Sequence, residues 1–289
     1  MGEISTAGMV TSYAGTGRNV SPLPRPFPPR SDGVPRGKTG EVIALVSPFA
    51  YWLLVLVGLA VCAAGSVAAR LWPGEWTLNV ARLVGLVLAL DAFSYTVGLL
   101  VAGAWSTRTS LPLPLCDFAV LVAAAACFSR LPLLVELTYF WGVAGTLQGV
   151  LTPDLSVGFP HLVFWQYVVG HLAIVFAALF LVVGLRLAPR RRAVPRVFAI
   201  TLVYTAMVGL VDGVSGANYM FLRRPPGEWT LLRLLGPWPW YLLGAAGVAL
   251  LLLTVLDAPF WPARRRDAAC KVDQAAAPPS VTHSPGGAP

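Results

Sequence analysis

The sequence predicts an all-α polytopic membrane protein, a bundle of about seven transmembrane helices. Two observations carry that reading. Of its 289 residues, 56% are apolar and only 12% are charged, against about 25% charged in a soluble chain. The mean hydropathy is +0.70. The charges also collect in the two ends and a few loops, leaving long apolar runs nearly bare, which is the pattern of repeated bilayer crossings.

The elements follow in chain order. Residues 1–46 read as a disordered Pro/Arg-rich tail, because prolines interleaved with arginines between Ser21 and Gly37 cannot build a packed core. This region shows no cleavable signal pattern, so sorting is expected to rest on the first span. Apolar runs of roughly 20 residues, the length a bilayer requires, fall at about 47–69, 78–101, 111–129, 131–151, 161–186, 194–216 and 238–257. Residues 47–257 therefore form one membrane domain. Residues 258–289 form a second disordered tail, carrying Arg264, Arg265 and Arg266 near its start. The fourth span is the least apolar, with Glu136, Thr138 and Gln148; its Gly142, Gly145 and Gly149 recur at helical spacing and allow close approach of another helix. Tyr51, Trp52, Trp76, Trp105 and the run Trp238–Tyr241 stand at span ends as interface anchors.

Charge sets orientation. The net charge of +8 needs no nucleic acid, because arginines flanking spans hold cytoplasmic loops inside and meet anionic lipid. The fifth-to-sixth loop carries Arg186, Arg190, Arg191, Arg192 and Arg196. Placing it inside with the C-terminus leaves the N-terminus outside. The Ala/Arg/Pro-rich composition suggests a high-GC bacterium, and hence a multi-pass protein of the plasma membrane. Four cysteines (Cys62, Cys116, Cys127 and Cys270) show neither paired nor zinc-ligand spacing, so no disulfide framework, metal or cofactor is expected.

Polar residues within spans are the functional suspects. On this topology most share one outer layer: Asp91, then Cys116 and Asp117, Gln148, Tyr167 and His171, and finally Asp212, Asn218, Arg223 and Arg224. His161 and Gln166 belong to the same layer, and Thr152 and Asp154 follow the fourth span. The inner half offers only Glu136. Cys116 sits in the first turn behind Pro112 and Pro114, where a helix N-terminus favours a thiolate; Asp117 beside it opposes this when ionised and also suits a helix N-terminus. His171 lies about ten residues inside its span and needs a partner, with Tyr167 one turn earlier on its face. A cysteine and a deep histidine on neighbouring helices can act as nucleophile and base, although either is also an ordinary packing or hydrogen-bonding residue.

The segments LPLPLCD (111–117), ELTYFWGVAGTLQGVLTPDL (136–155), FPHLVFWQYVVGH (159–171), ANYMFLRRPP (217–226) and LLGPWPWY (234–241) resemble the transmembrane protein 164 family and its bacterial YwaF-like integral membrane relatives. The resemblance runs in order over roughly residues 47–257. It implies a cysteine-dependent acyltransferase that moves acyl chains between phospholipids, with the nucleophile falling on Cys116 and its histidine partner on His171. A broader likeness is to multi-span lipid hydrolases of the androgen-induced gene 1 type. Many bacterial relatives carry His or Gln two residues before the cysteine; here that position is Pro114.

The leading expectation is therefore acyl transfer or lipid hydrolysis with membrane phospholipids as partners. Asp91 or Asp212 would orient the imidazole, Gln148 or Asn218 would serve the oxyanion, and Arg223 and Arg224 would hold a lipid phosphate. The alternatives are a transporter with a polar pathway and a non-catalytic membrane scaffold.

Overall fold

The structure, a computed structural model, describes residues 48–151, 153, 159, 162–225 and 234–266. The N-terminal tail, the end of the C-terminal tail, and Thr152, Asp154 and His161 lie outside the described residues. Every regular element among those described is helical. They are α1 (Pro48–Leu71), α2 (Glu75–Val101), α3 (Leu115–Ser129), α4 (Pro132–Trp141), α5 (Leu147–Leu151), α6 (Leu162–Leu179), α7 (Ala193–Ser215) and α8 (Trp240–Asp257). Wide π-helical turns extend two of them. Gly142–Thr146 joins α4 to α5, and Phe180–Gly184 prolongs α6. The segment Pro132–Leu151 is thus one continuous rod with a π-turn in its middle.

The expectation of seven spans is met in part. Five helices are long and apolar enough to cross a membrane: Phe49–Leu71, Glu75–Val101, Val163–Gly184, Ala193–Ser215 and Trp240–Arg266. The last continues through residues assigned above to a tail. The other two segments differ in kind. Helix α3 has only 15 residues, about 22 Å at 1.5 Å per residue, and the α4–α5 rod is interrupted. Large apolar side chains remain exposed along the outer helices, among them Leu56, Leu90, Val203, Leu210 and Val214. Such a surface is expected of a protein solvated by lipid rather than water.

Helix α3 lies deep among its neighbours. Ala119, Val120, Val122, Ala123, Ala124, Ala126 and Cys127 are all buried, leaving little of its circumference exposed. Its small side chains let neighbours approach, and it packs chiefly on α2, α4 and α6. At Gly85 of α2 a β-carbon would stand 2.9 Å from the Cys127 Cβ, so this glycine sets the α2–α3 separation. Proline punctuates both ends of the hairpin that follows. Pro114 is the N-cap of α3, Arg130 ends it in the left-handed conformation at φ 53°, and Pro132 opens α4 at its first position.

At the arginine-rich end, the lone intramembrane acid of the inner half has an explanation. Glu136 is 1% exposed. Its Oε1 accepts from the backbone N–H of Arg190 at 3.0 Å and from Arg190 Nε at 2.8 Å; its Oε2 accepts from Arg190 Nη2 at 3.1 Å and Arg196 Nη1 at 2.7 Å. The carboxylate therefore ties the arginine loop down onto α4. Tyr241 departs from the interface-anchor expectation: it is buried, and its hydroxyl donates to the Phe221 carbonyl. Glu136→Ala is expected to cost about 2 kcal/mol, less than for a fully buried pair, because both arginines are partly exposed and rehydrate. Thermal unfolding of the detergent-purified variant measures it.

Candidate functional site

The head of α3 is held from two sides. Tyr204 of α7 donates to the Leu113 carbonyl at 2.8 Å, and its ring stacks on Phe118 with centroids 4.8 Å apart. Tyr219 accepts from the Leu111 N–H at 3.0 Å and donates to the Thr107 carbonyl at 3.0 Å. Burial raises the Tyr219 phenol above its ordinary pKa, so it stays protonated and able to donate. These two phenols satisfy a proline-broken strand of backbone that has no helical partners of its own. The result is a fixed position for Cys116 and Asp117 in the first turn.

Cys116 is half-buried and faces the π-turn. Its thiol lies beside the Thr146 hydroxyl, but the pair falls short of hydrogen-bond geometry, and Thr146 Oγ1 is buried with no partner among the described residues. Next to it, a β-carbon at Gly145 would touch Leu115 at 3.5 Å. One helical turn beyond Thr146 on the same face is Gly149, and this is where His171 packs. A β-carbon at Gly149 would stand 3.0 Å from His171 Cδ2 and 3.1 Å from Nε2. Cys116 and His171 thus approach one stripe of the α4–α5 rod from α3 and α6. No direct hydrogen bond joins them.

The His171 ring is oriented by its own helix. Nδ1 lies 2.8 Å from the Tyr167 carbonyl oxygen. A carbonyl only accepts, so in the neutral ring Nδ1 carries the proton and Nε2 keeps its lone pair. The ring stacks on Tyr167 at 4.0 Å between centroids, and the Tyr167 hydroxyl donates to the Gly149 carbonyl at 2.8 Å. That bond also caps a carbonyl of the short α5 helix. The basic nitrogen is therefore turned toward the rod rather than into its own helix.

Two carboxylates complete this cluster. Asp91 lies against Gly170 of α6, where a β-carbon would meet its Oδ2 at 2.6 Å. Gln166 Nε2 fixes the same crossing by donating to the Asp91 carbonyl at 3.0 Å and to Ser94 Oγ at 3.1 Å. Asp117 is within electrostatic reach of Asp91 and of Tyr204. Among the described residues neither carboxylate accepts a hydrogen bond or meets a cation. No group of three acids, histidines or cysteines there has the arrangement of a metal site.

Asp212, Asn218, Arg223 and Arg224 form a second cluster in the loop after α7. Asp212 is fully buried; Oδ1 accepts from the Tyr219 N–H at 2.9 Å, while Oδ2 is buried with no partner among the described residues. Asn218 donates through Nδ2 to the Arg224 carbonyl and accepts through Oδ1 from the N–H groups of Arg223 and Arg224. Arg223 reaches the Asp212 and Ala217 carbonyls at 3.4 Å, and Arg224 is exposed. These residues shape their own loop; Tyr219 links that loop to the head of α3. Gln148 is exposed on α5.

A model of the TMEM164 family matches residues 39–257. The chain belongs to the TMEM164 family. It is also 29% identical over 186 residues to an uncharacterized protein of Treponema pallidum (strain Nichols), covering 64% of this chain and 76% of that one. No solved structure matches it.

Every candidate residue named above lies within the TMEM164 region. Three residues of the Cys116–His171 neighbourhood were not singled out from the sequence as site residues: Thr146, Tyr204 and Gly170. An apolar span gives no sign of which threonine or tyrosine turns inward. Gly149 did carry a signal, through its spacing with Gly142 and Gly145. Gly149→Ala is expected to destabilise by about 1–3 kcal/mol, through overpacking against His171. Gly98→Ala, where a β-carbon meets nothing within 4 Å, should leave stability unchanged or raise it. Unfolding of the two variants side by side tests this.

Proposed function

We propose that this TMEM164-family protein is a lipid acyltransferase that works through a thioester on Cys116, with His171 as base and then acid. The observation that carries the reading is the shared stripe. The thiol beside Thr146 and the imidazole against Gly149 meet one face of one rod, and the imidazole presents its lone-pair nitrogen there. In the first half-reaction His171 Nε2 takes the thiol proton and the sulfur attacks the ester carbonyl of a phospholipid. The acyl C–O bond breaks, His171 gives the proton to the departing alkoxide oxygen, and a lysophospholipid leaves with a free hydroxyl. In the second, the hydroxyl of another lysophospholipid gives its proton to His171 and attacks the thioester, restoring the thiol. Water in place of that hydroxyl makes the reaction a hydrolysis. Asp91 and Asp117 are the acids nearest this chemistry. Arg223 and Arg224, exposed in the loop tied to α3, are the candidates for the lipid phosphate.

In this reading the chain crosses the plasma membrane seven times, counting α3 and the α4–α5 rod as spans. The N-terminus is outside and the C-terminus cytoplasmic. A transporter would require polar lining through both halves. The charge of Glu136 is consumed by Arg190 and Arg196, which supports a one-sided site over a pathway.

Purified protein in lipid, incubated with a labelled phospholipid and quenched in acid, should carry a hydroxylamine-sensitive acyl adduct by intact mass. Cys116→Ala should carry none, and His171→Gln should acylate about 10²–10⁴-fold more slowly. Wild-type turnover by Cys116→Ser would sink the mechanism.

A further inference from the structure

The arginine-rich end carries a second feature that acyl transfer does not use. A cleft of about 690 Å³ opens between the loop before α7 and the extension of α8, lined by Arg191, Arg192, Asp257, Trp261, Arg264 and Arg265. Four arginines against one aspartate is an excess of positive charge that folding alone does not require.

Three of the lining groups form a rigid frame. Asp257 binds Arg264 in a two-pronged pair, Oδ1 to Nη2 at 2.7 Å and Oδ2 to Nη1 at 2.8 Å, and Oδ2 also accepts from Trp261 Nε1 at 2.9 Å. Arg264 Nη2 donates across the cleft to the Pro189 carbonyl at 2.6 Å, which ties the α8 extension to the arginine loop. The single acid is thereby consumed. Arg191, Arg192 and Arg265 are exposed, and among the described residues none has an ion-pair partner. Arg192 is also the N-cap of α7, a helix start without a side-chain cap, so the positive end of that helix dipole opens at the same place.

We propose that this cleft binds the phosphate of an anionic phospholipid headgroup, at a site separate from Cys116. Guanidinium groups suit a phosphate because they donate in a planar fork. The surroundings indicate a lipid rather than a soluble anion. Trp261 is 44% exposed at the rim, and Leu251 and Val255 are exposed on the preceding turns of α8. Trp261 and the cleft stand at the end of the apolar, span-length helix Trp240–Arg266, so a headgroup here sits where a bilayer leaflet would begin. Tryptophan at such a boundary is the usual marker of the membrane interface. The site does not depend on the acyltransferase reading, and its test does not measure turnover.

The test uses the full chain in detergent, with native mass spectrometry reading retention of short-chain phosphatidylglycerol. Arg191 and Arg265 make no side-chain hydrogen bond among the described residues, so they can be changed without breaking the frame. Arg191→Ala and Arg265→Ala should each weaken retention roughly fivefold, and the double variant more. The corresponding lysine variants should recover most of it. Arg82→Ala, an exposed arginine elsewhere, should change nothing, and phosphatidylcholine should not be retained. Equal retention by wild type and a folded double variant would overturn the proposal. So would displacement by inorganic phosphate at the same concentration as the lipid, which would make this a site for a free anion.

Discussion

The close packing of α3 is the constraint on which the rest of the structure depends. A 15-residue helix with a run of alanines at its centre has little side-chain volume there, so α2, α4 and α6 can approach it closely. The cost falls on its N-terminus. The helix is too short to reach across a bilayer alone, and the backbone ahead of it, broken by Pro112 and Pro114, cannot satisfy itself. Tyr204 and Tyr219 supply the missing partners from α7 and the following loop. The same arrangement that rescues this backbone fixes Cys116 and Asp117. Stability and site geometry are therefore one problem here: loosening either phenol would free the thiol as well as the loop.

Much of this architecture was legible in the residues. Length and hydropathy of the apolar runs placed the helices within a few residues, because bilayer thickness leaves little choice, except at the end of the last, which runs on to Arg266. Pro112 and Pro114 announced the start of α3, and the spacing of Gly142, Gly145 and Gly149 announced a close approach. The π-turn at Gly142–Thr146 was not legible. No local pattern of the sequence encodes its extra residue per turn. That turn is what presents Thr146 and Gly149 to two different helices. The partners of Glu136 were hidden for another reason. Arg190 and Arg196 lie 54 and 60 residues away, and sequence distance says nothing about which loop folds back over which helix.

Depth along the spans proved a coarser guide than contact. Counting residues from the span ends put Asp91, Asp117, His171, Asp212 and Asn218 into one layer. Contacts divide that layer. Asp91, Asp117, Cys116 and His171 surround the α3–α6 crossing, whereas Asp212 and Asn218 spend their hydrogen bonds on the loop after α7. An acid at the end of a helix and an asparagine just beyond it are suited to that structural task, and their depth alone cannot distinguish it from chemistry.

The two ends of the helices then differ in how they treat charge. At the arginine-rich end, Glu136 and Asp257 are each bound by guanidinium groups, so both of these buried carboxylates are neutralised within the protein. At the other end, Asp91 and Asp117 lie within electrostatic reach of each other, and among the described residues neither carboxylate meets a cation or a donor. Folding gains nothing from leaving two acids unpaired in apolar surroundings. Among the described residues the arginine-rich end thus satisfies its buried acids internally, while at the other end two acids stand beside the thiol and the imidazole that approach one face of the α4–α5 rod.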